Sequence, residues 1–462
     1  MNVMKKNSYS FNTLFLGLVS IIGVVLGLLR ELQIASLVGM SIYADIFYLA
    51  ILIPEVVGTV VGNAASTVYL RYYVISKDKK NLASAVFFTL LILSLLILIS
   101  LFFLYPEISQ YMVSNYKANE LKVLISVGTI VLPSIVSSVL FGVVCGTLNA
   151  NNRFFLVGLN GVIYSGTLIL GTHFLFPLYK ENALAISYLL ASYFRLIFIL
   201  PAMRKYIGRF QIKPAFPVIK EIPRIAVYNV LLSLQNIFEK STASTFTTGI
   251  VASLNYCSKV IFLPNLLITN SILTVFYPRL VSTLENKNNE ADQLIIETSK
   301  IIFQLLAACG VFILFFSKEI VELLFSHFKN FNTNNLAVLI KLFILYTPVM
   351  VVNGMAQLYI KVSYAYGNTR LPLISNFLAI LVYIVSILIL LKFMRWEALP
   401  LALFIFNLVL FLILSVKLAP KNPNLIKHSV NMTIYLLIII TFLASVKHLF
   451  SQINLVGLIL IS

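Results

Sequence analysis

Long apolar segments recur along the chain from Phe11 to the C-terminus, separated by short polar or basic connections. Most of them are long enough for the helix of about 20 residues that crosses the hydrocarbon core of a bilayer. The chain lacks the short alternating segments that are typical of membrane β-barrels. The pattern therefore predicts an all-α polytopic membrane protein with about thirteen transmembrane helices. The predicted spans are 12–38, 45–74, 83–105, 121–149, 154–178, 182–202, 224–250, 254–282, 297–325, 335–366, 371–393, 397–417 and 428–449.

Two polar turns that end in arginine indicate an internal repeat. Residues 146–153 follow the fourth predicted span, residues 364–370 follow the tenth, and each turn lies one helix after a proline. Pro54 in the second span matches Pro264 in the eighth in the same way. Each matched pair lies six helices apart. Because six is an even number, the two copies are predicted to have the same orientation in the membrane.

The repeat predicts a division of the chain into halves. A twelve-helix core of two parallel six-helix repeats would comprise residues 1–203 and 224–420. Residues 204–223 are basic and contain prolines, which is typical of a cytoplasmic linker. Residues 421–462 would form an extra helix and an apolar tail that is too short to cross. Substrate sites in such transporters lie between the repeats, near the midplane.

Composition and charge agree with a membrane protein. The chain is 60% hydrophobic and 11% charged, whereas a soluble protein carries about 25% charged residues. Although the net charge is +18, the even-numbered connections hold more than twice as many lysines and arginines as the odd-numbered ones. This bias predicts a cytoplasmic N-terminus in a bacterial inner membrane. It also argues against a nucleic-acid partner, because no basic segment carries a recognisable binding module.

Ionisable residues inside the predicted spans are the candidate site, because each costs a few kcal/mol or more unless it faces a cavity or a partner. Arg30 is suited to bidentate contact with the oxygens of a diphosphate, and Lys240 and Lys259 would add positive charge. Asp45 could orient Arg30 or act as a gate partner, and Glu239 could bind Na⁺ or a proton. The alternative is that these charges pair with one another, for example Arg30 with Asp45, and only fix the helix packing.

Four prolines also lie inside predicted spans. Each removes a backbone hydrogen bond and bends its helix, so they could be hinges for alternating access or static kinks. They are Pro54, Pro133, Pro264 and Pro348.

The sequence contains no signature of catalysis. It has no Walker motif, metal-ligand cluster or nucleophile elbow, and its outer connections are short, so we expect a transporter without a cofactor and not an enzyme. Its energy would come from a Na⁺ or H⁺ gradient, from removal of product, or from the membrane potential, which supplies ~2.3 kcal/mol per charge per 100 mV. The alternatives from other classes are a membrane glycosyltransferase, which would need a sizeable outer loop, and a structural scaffold.

Five motifs stand out by their order and spacing: residues 25–31, 44–48, 53–54, 149–154 and 363–372. Together they resemble the MurJ/MviN family of lipid II flippases. The resemblance extends over residues 10–420 and implies a monomeric, alternating-access flippase for an undecaprenyl-diphosphate-linked sugar in cell-wall biosynthesis. In that family a basic cluster binds the diphosphate, and Arg30 and Asp45 match its first-helix arginine and a nearby aspartate.

This chain departs from the family pattern at three places, which leave the lipid open. Lys259 stands where the family has an arginine, so the charge remains but the planar fork is lost. Another family arginine, in the second helix, is replaced by Gly58 or Thr59. The last two family helices are incomplete. The alternatives within transport are therefore a Wzx-type flippase for an O-antigen, capsule or teichoic repeat unit, and a cation-coupled MATE-like exporter of small molecules.

Overall fold

The computed structural model describes residues 2–113, 116–151, 153–180, 182–209, 211–285, 290–368 and 370–418, together with 431, 432 and 434. Within these residues the regular structure is helical, as the apolar pattern predicts. The α-helices are α1 (Asn2–Val38), α2 (Ile42–Ala50), α3 (Leu52–Ile75), α4 (Lys79–Met112), α5 (Ala118–Val131), α6 (Ser134–Ala150), α7 (Phe154–Gly158), α8 (Asn160–Tyr179), α9 (Asn182–Met203), α10 (Phe216–Ala243), α11 (Ile250–Ile261), α12 (Asn270–Glu285), α13 (Glu290–Phe315), α14 (Ser317–Phe325), α15 (Thr333–Ala365), α16 (Arg370–Leu390) and α17 (Ala398–Leu418).

Ten helical segments in the described part of the chain are long and apolar enough to cross a membrane, and a bent pair, Ile250–Ile261 with Asn265–Leu284, makes an eleventh. An all-α polytopic architecture is thereby confirmed. The predicted seventh span forms α10, which is not among these segments. The predicted thirteenth span, 428–449, lies almost wholly outside the described residues. The count of thirteen and the cytoplasmic N-terminus stay predictions.

Three of the four intraspan prolines lie at helix breaks. Pro54 is in the first turn of α3, directly after the break at Ile51, and Pro133 precedes α6. Pro264 precedes a π-helical turn, Asn265–Thr269, where the two parts of the span bend by 41°. A proline near a helix start loses no internal hydrogen bond, which explains why proline is tolerated at these positions. Pro348, in contrast, lies within the continuous α15.

The predicted linker, residues 204–223, is partly helical. After two short 3₁₀ turns, α10 begins at Phe216 and continues through Pro223 to Ala243. Pro217 occupies a position near the helix start, where proline is well tolerated. The helix α10, which contains most of the predicted seventh span, therefore begins inside the segment that was predicted as a linker.

The described residues divide into two compact units, Met1–Asn255 and Tyr256–Ser462. In the first unit α3 packs along both α6 and α10, and α8 packs along α1 and α9. Polar side chains join these helices: the Asn229 amide donates to the carbonyl of Val60, and the hydroxyls of Tyr69 and Thr147 lie 2.9 Å apart. The limits of the sequence repeats, 1–203 and 224–420, stay a prediction.

In the second unit α15 packs against α13 and α17. The Asn353 amide donates to Asn407 at 2.9 Å, and the Gln357 amide donates to Asn353 at 2.7 Å. The first bond links α15 to α17, which is the usual role of amide side chains inside membrane bundles, and the second, within α15, holds the Asn353 side chain.

Candidate functional site

Arg30 lies near the end of α1, in a buried polar cluster of the first unit. Its Nη2 donates to Glu31 Oε1 at 2.5 Å, and the other oxygen of Glu31 accepts from the Tyr48 hydroxyl at 2.6 Å. The side chains of Arg30 and Glu31 are 16% and 6% exposed. Glu31 thus holds Arg30 in place and ties α1 to α2. This bond uses one of the five donors of the guanidinium, so others are available for a ligand.

The guanidinium of Arg30 also lies over an aromatic ring. Its Cζ is 5.7 Å from the ring centre of Tyr164 on α8, at the distance of a cation–π contact. Tyr164 packs edge-on against Tyr188 on α9, with ring centres 6.1 Å apart. The ring that supports Arg30 is therefore fixed by a second helix.

A second arginine, which the sequence reasoning missed, reaches the same ring. Arg195 on α9 has its Cζ 5.0 Å from the Tyr164 ring centre and 4.8 Å from that of Phe141. Its Nη2 donates to Ser138 Oγ at 2.8 Å. The rule that an ionisable residue inside a span marks a site applies to Arg195 as it does to Arg30, so the sixth span carried the signal.

One face of α3 is polar and exposed, which indicates access to water. Glu55, Asn63 and Thr67 are exposed although they lie within a segment long enough to cross the membrane. They follow a spacing of four or eight residues and so share one helix face. A carboxylate that faces acyl chains would cost several kcal/mol, so this face is best explained by a hydrated cavity.

Asp45 does not pair with Arg30, contrary to one alternative from the sequence. The carboxylate, which is 3% exposed, accepts from the backbone N–H of Gly249 at 2.6 Å and of Ala252 at 2.7 Å. A carboxylate at a helix N-terminus satisfies free N–H groups and complements the helix dipole. Asp45 therefore caps α11 and connects it to α2.

Glu239 and Lys240 lie near the end of α10 and are buried, at 9% and 7% exposure. Glu239 accepts a hydrogen bond from Gln235, one turn earlier, at 3.1 Å. The predicted roles of Glu239 in ion coupling and of Lys240 in substrate binding stay predictions.

Lys259 belongs to the second unit, where it is exposed near the end of α11 and shortly before the break at Pro264. Its predicted contact with the diphosphate also stays a prediction. Within the described residues there is no group of three or more His, Cys, Asp or Glu side chains that could hold a metal ion.

Comparison with known proteins identifies the family. Residues 34–458 match the family model described as lipid II flippase MurJ. The chain belongs to the MurJ family of lipid II flippases. This assignment makes it a multi-pass transporter of the bacterial inner membrane, within peptidoglycan biosynthesis, as the resemblance of its motifs implies.

Two MurJ relatives cover most of the chain. The probable lipid II flippase MurJ of Rickettsia prowazekii (strain Madrid E) is 25% identical over 384 residues, which are 78% of this chain and 74% of that protein. The lipid II flippase MurJ of Thermosipho africanus (strain TCF52B) is 27% identical over 374 residues, which are 80% of this chain and 77% of that protein.

Solved structures show the same fold. A lipid II flippase MurJ in an inward closed conformation superimposes with a TM-score of 0.80 at 23% identity, covering 96% of this chain and 100% of the other. An inward-facing MATE multidrug transporter of the MOP superfamily superimposes with a TM-score of 0.71 at 16% identity, covering 92% and 96%. The MATE likeness is one of fold alone, and the MurJ family match does not favour a drug exporter.

Proposed function

We propose that this chain moves lipid II, an undecaprenyl-diphosphate-linked sugar, from the inner to the outer leaflet by alternating access. The observation that carries the proposal is the MurJ family match over residues 34–458, in a chain whose first unit holds an arginine inside the membrane beside a polar helix face.

Arg30 is the residue proposed to bind the diphosphate. Its bond to Glu31 fixes the guanidinium, and the Tyr164 ring supports it from α8. A guanidinium held in advance loses little conformational freedom when it forms charge-assisted hydrogen bonds to phosphate oxygens. The exposed face of α3, with Asn63 and Thr67, would let water solvate the sugar during its passage.

The energy source and the moving parts belong to the same proposal. We propose that the chain makes and breaks no covalent bond, that it needs no cofactor, and that an ion gradient or the membrane potential drives the cycle, with Glu239 as the candidate for Na⁺ or H⁺ coupling. The helix breaks at Pro54, Pro133 and Pro264 are the proposed hinges. A monomer without a nucleic-acid partner is the proposed working form.

Complementation tests the function. Cells depleted of their own lipid II flippase would express the wild-type chain, Arg30→Ala or Arg204→Ala, an exposed arginine beyond α9 that serves as the matched control. We expect growth and outer-leaflet lipid II with the wild type and the control, and neither with Arg30→Ala. If the wild-type chain reaches the membrane but restores neither, the proposal is wrong, and a lipid-linked polysaccharide unit becomes the substrate to test.

A further inference from the structure

Arg195 is a cation inside the membrane without a counterion in its described surroundings. The residue is half-buried in α9, within a segment apolar enough to cross the membrane. Its contacts are the hydroxyl of Ser138 and the rings of Phe141 and Tyr164, and no carboxylate of the described residues lies within salt-bridge distance. Its Nε is buried without a hydrogen-bond partner. An arginine with a purely structural role would use its N–H groups in hydrogen bonds to acceptors of the protein.

Arg195 and Arg30 come together on one aromatic ring. Their Cζ atoms are 5.0 Å and 5.7 Å from the ring centre of Tyr164. The two arginines differ in charge balance, because Glu31 neutralises Arg30 while Arg195 has only neutral partners. The positive charge available to an incoming anion therefore lies mainly on Arg195.

A close approach of two helices fixes the partner of Arg195. Gly58 on α3 faces Ser138 on α6, and a Cβ at position 58 would lie 2.7 Å from the Cβ of Ser138. Any larger residue at position 58 would displace Ser138, the hydroxyl to which Arg195 donates. Glycine at this position thus allows the side chain of α6 to anchor an arginine from α9.

We propose that Arg195 is a second phosphate-binding residue, and that Arg30 and Arg195 bind the two phosphoryl groups of a diphosphate beside Tyr164. The inference rests on the proposed function and adds to it a ligand residue from α9. The guanidinium of Arg195 has donors beyond its bond to Ser138 and can form a charge-assisted fork to phosphate oxygens. Glu55 is exposed on α3, one helical turn before the Gly58 that faces Ser138, so its carboxylate would oppose the anion.

The test measures binding of two lipids by the full chain in nanodiscs. The probes are undecaprenyl diphosphate and undecaprenyl monophosphate, and the variants are Arg195→Ala, Arg195→Lys, Glu55→Gln and the control Arg204→Ala. Charge-assisted hydrogen bonds predict a loss of about tenfold or more in affinity for the diphosphate with Arg195→Ala. The affinity for the monophosphate should fall less, because Arg30 alone can bind its single phosphoryl group. Arg195→Lys should recover part of the loss, because lysine keeps the charge but not the fork.

The outcomes separate this inference from the proposed function. If the wild type binds neither probe, the proposed function fails and the inference fails with it. If the wild type binds the diphosphate and a folded Arg195→Ala binds it equally well, only the role of Arg195 is wrong. Should Arg195→Ala not fold, Glu55→Gln decides: tighter diphosphate binding supports the inference, and unchanged binding together with full affinity in Arg195→Lys overturns it.

Discussion

The carboxylate of Asp45 accepts the backbone N–H of Gly249 at 2.6 Å, across 204 positions of sequence. Its second oxygen accepts from Ala252, so one buried side chain satisfies the start of α11. Gly249 has a φ of +91°, a backbone conformation that residues other than glycine rarely adopt. The pair connects α2, which directly follows the Arg30 helix, to the first turn of α11. Asp45 therefore stabilises the packing of α2 and α11, and none of its described contacts is with Arg30.

Asp45→Ala should destabilise the protein. The variant leaves two buried N–H groups without an acceptor, at a cost of about 1–3 kcal/mol each. Asp45→Asn should cost less, because one amide oxygen can still accept. The measurement is the thermal unfolding midpoint of the purified protein in detergent. Asp78→Asn is the matched control: Asp78 caps α4 at an exposed position, where asparagine caps equally well. Equal midpoints for Asp45→Ala and the wild type would contradict the capping role.

Gly249→Ala should also lower the unfolding midpoint. A Cβ at position 249 would lie 2.8 Å from the Cβ of Met40, and the positive φ adds backbone strain of about 1–3 kcal/mol. Gly166→Ala is the control, because a Cβ at position 166 in α8 would meet nothing within 4 Å. The control should be neutral or slightly stabilising, since alanine favours a helix more than glycine does. An unchanged midpoint for Gly249→Ala would show that the turn adapts.

The ion pair between Lys341 and Glu397 should make stability depend on pH. Glu397 lies between α16 and α17, and Lys341 Nζ is 2.6 Å from its Oε1. Burial raises the pKa of Glu397, but the hydrogen bond and charge of Lys341 and nearby backbone N–H groups outweigh burial and hold that pKa below its usual value. A carboxyl whose folded pKa is lowered stabilises the fold above its unfolded pKa of about 4.3 and loses this effect as the pH falls through the folded value.

The effect is small because Lys341 is 57% exposed, and we expect at most about 1 kcal/mol. The measurement is the unfolding midpoint of the wild type and Glu397→Gln between about pH 3 and pH 7. Their difference should be present at neutral pH and should vanish at the acid end. A difference that stays constant with pH would mean that packing, and not the charge, is responsible.

Hydropathy alone was sufficient to predict the helical membrane fold, because a bilayer admits few structures and each span leaves a long apolar segment. The four intraspan prolines predicted bends, and three of them, Pro54, Pro133 and Pro264, lie at helix breaks. The helix α10 begins at Phe216, inside the segment predicted as a linker, because Pro217 is compatible with a first helical turn. At the prolines, the prediction of helix boundaries therefore depended on whether a proline lies in a first helical turn or in a helix interior.

The candidate site was only partly predictable. Arg30 was singled out as a candidate because a charge inside a span is visible in the sequence. Arg195 carried the same signal, and the polar positions Glu55, Asn63 and Thr67 showed a helical spacing that could have been noticed. The partner of Asp45 could not have been found in this way. It is a backbone group far along the chain, and backbone groups leave no mark in a sequence.

Arg30→Lys should retain part of the activity that Arg30→Ala loses. Lysine keeps the positive charge and can pair with Glu31, but it cannot form the bidentate fork to phosphate or the same contact with Tyr164. In depleted cells we expect slow growth with Arg30→Lys and none with Arg30→Ala, at equal protein levels in the membrane. Full growth with Arg30→Lys would show that charge alone is sufficient at this position.

The most direct measurement is the rate at which lipid II crosses the bilayer of proteoliposomes that contain the purified chain, with an imposed membrane potential or ion gradient. A fluorescent label on the sugar and a quencher outside would report the lipid in the outer leaflet. We predict transfer by the wild type and Arg204→Ala, and a rate at least about tenfold lower for Arg30→Ala, the factor that 1.4 kcal/mol represents. A wild-type rate equal to that of protein-free liposomes under every gradient, or equal rates for the wild type and Arg30→Ala, would contradict the account.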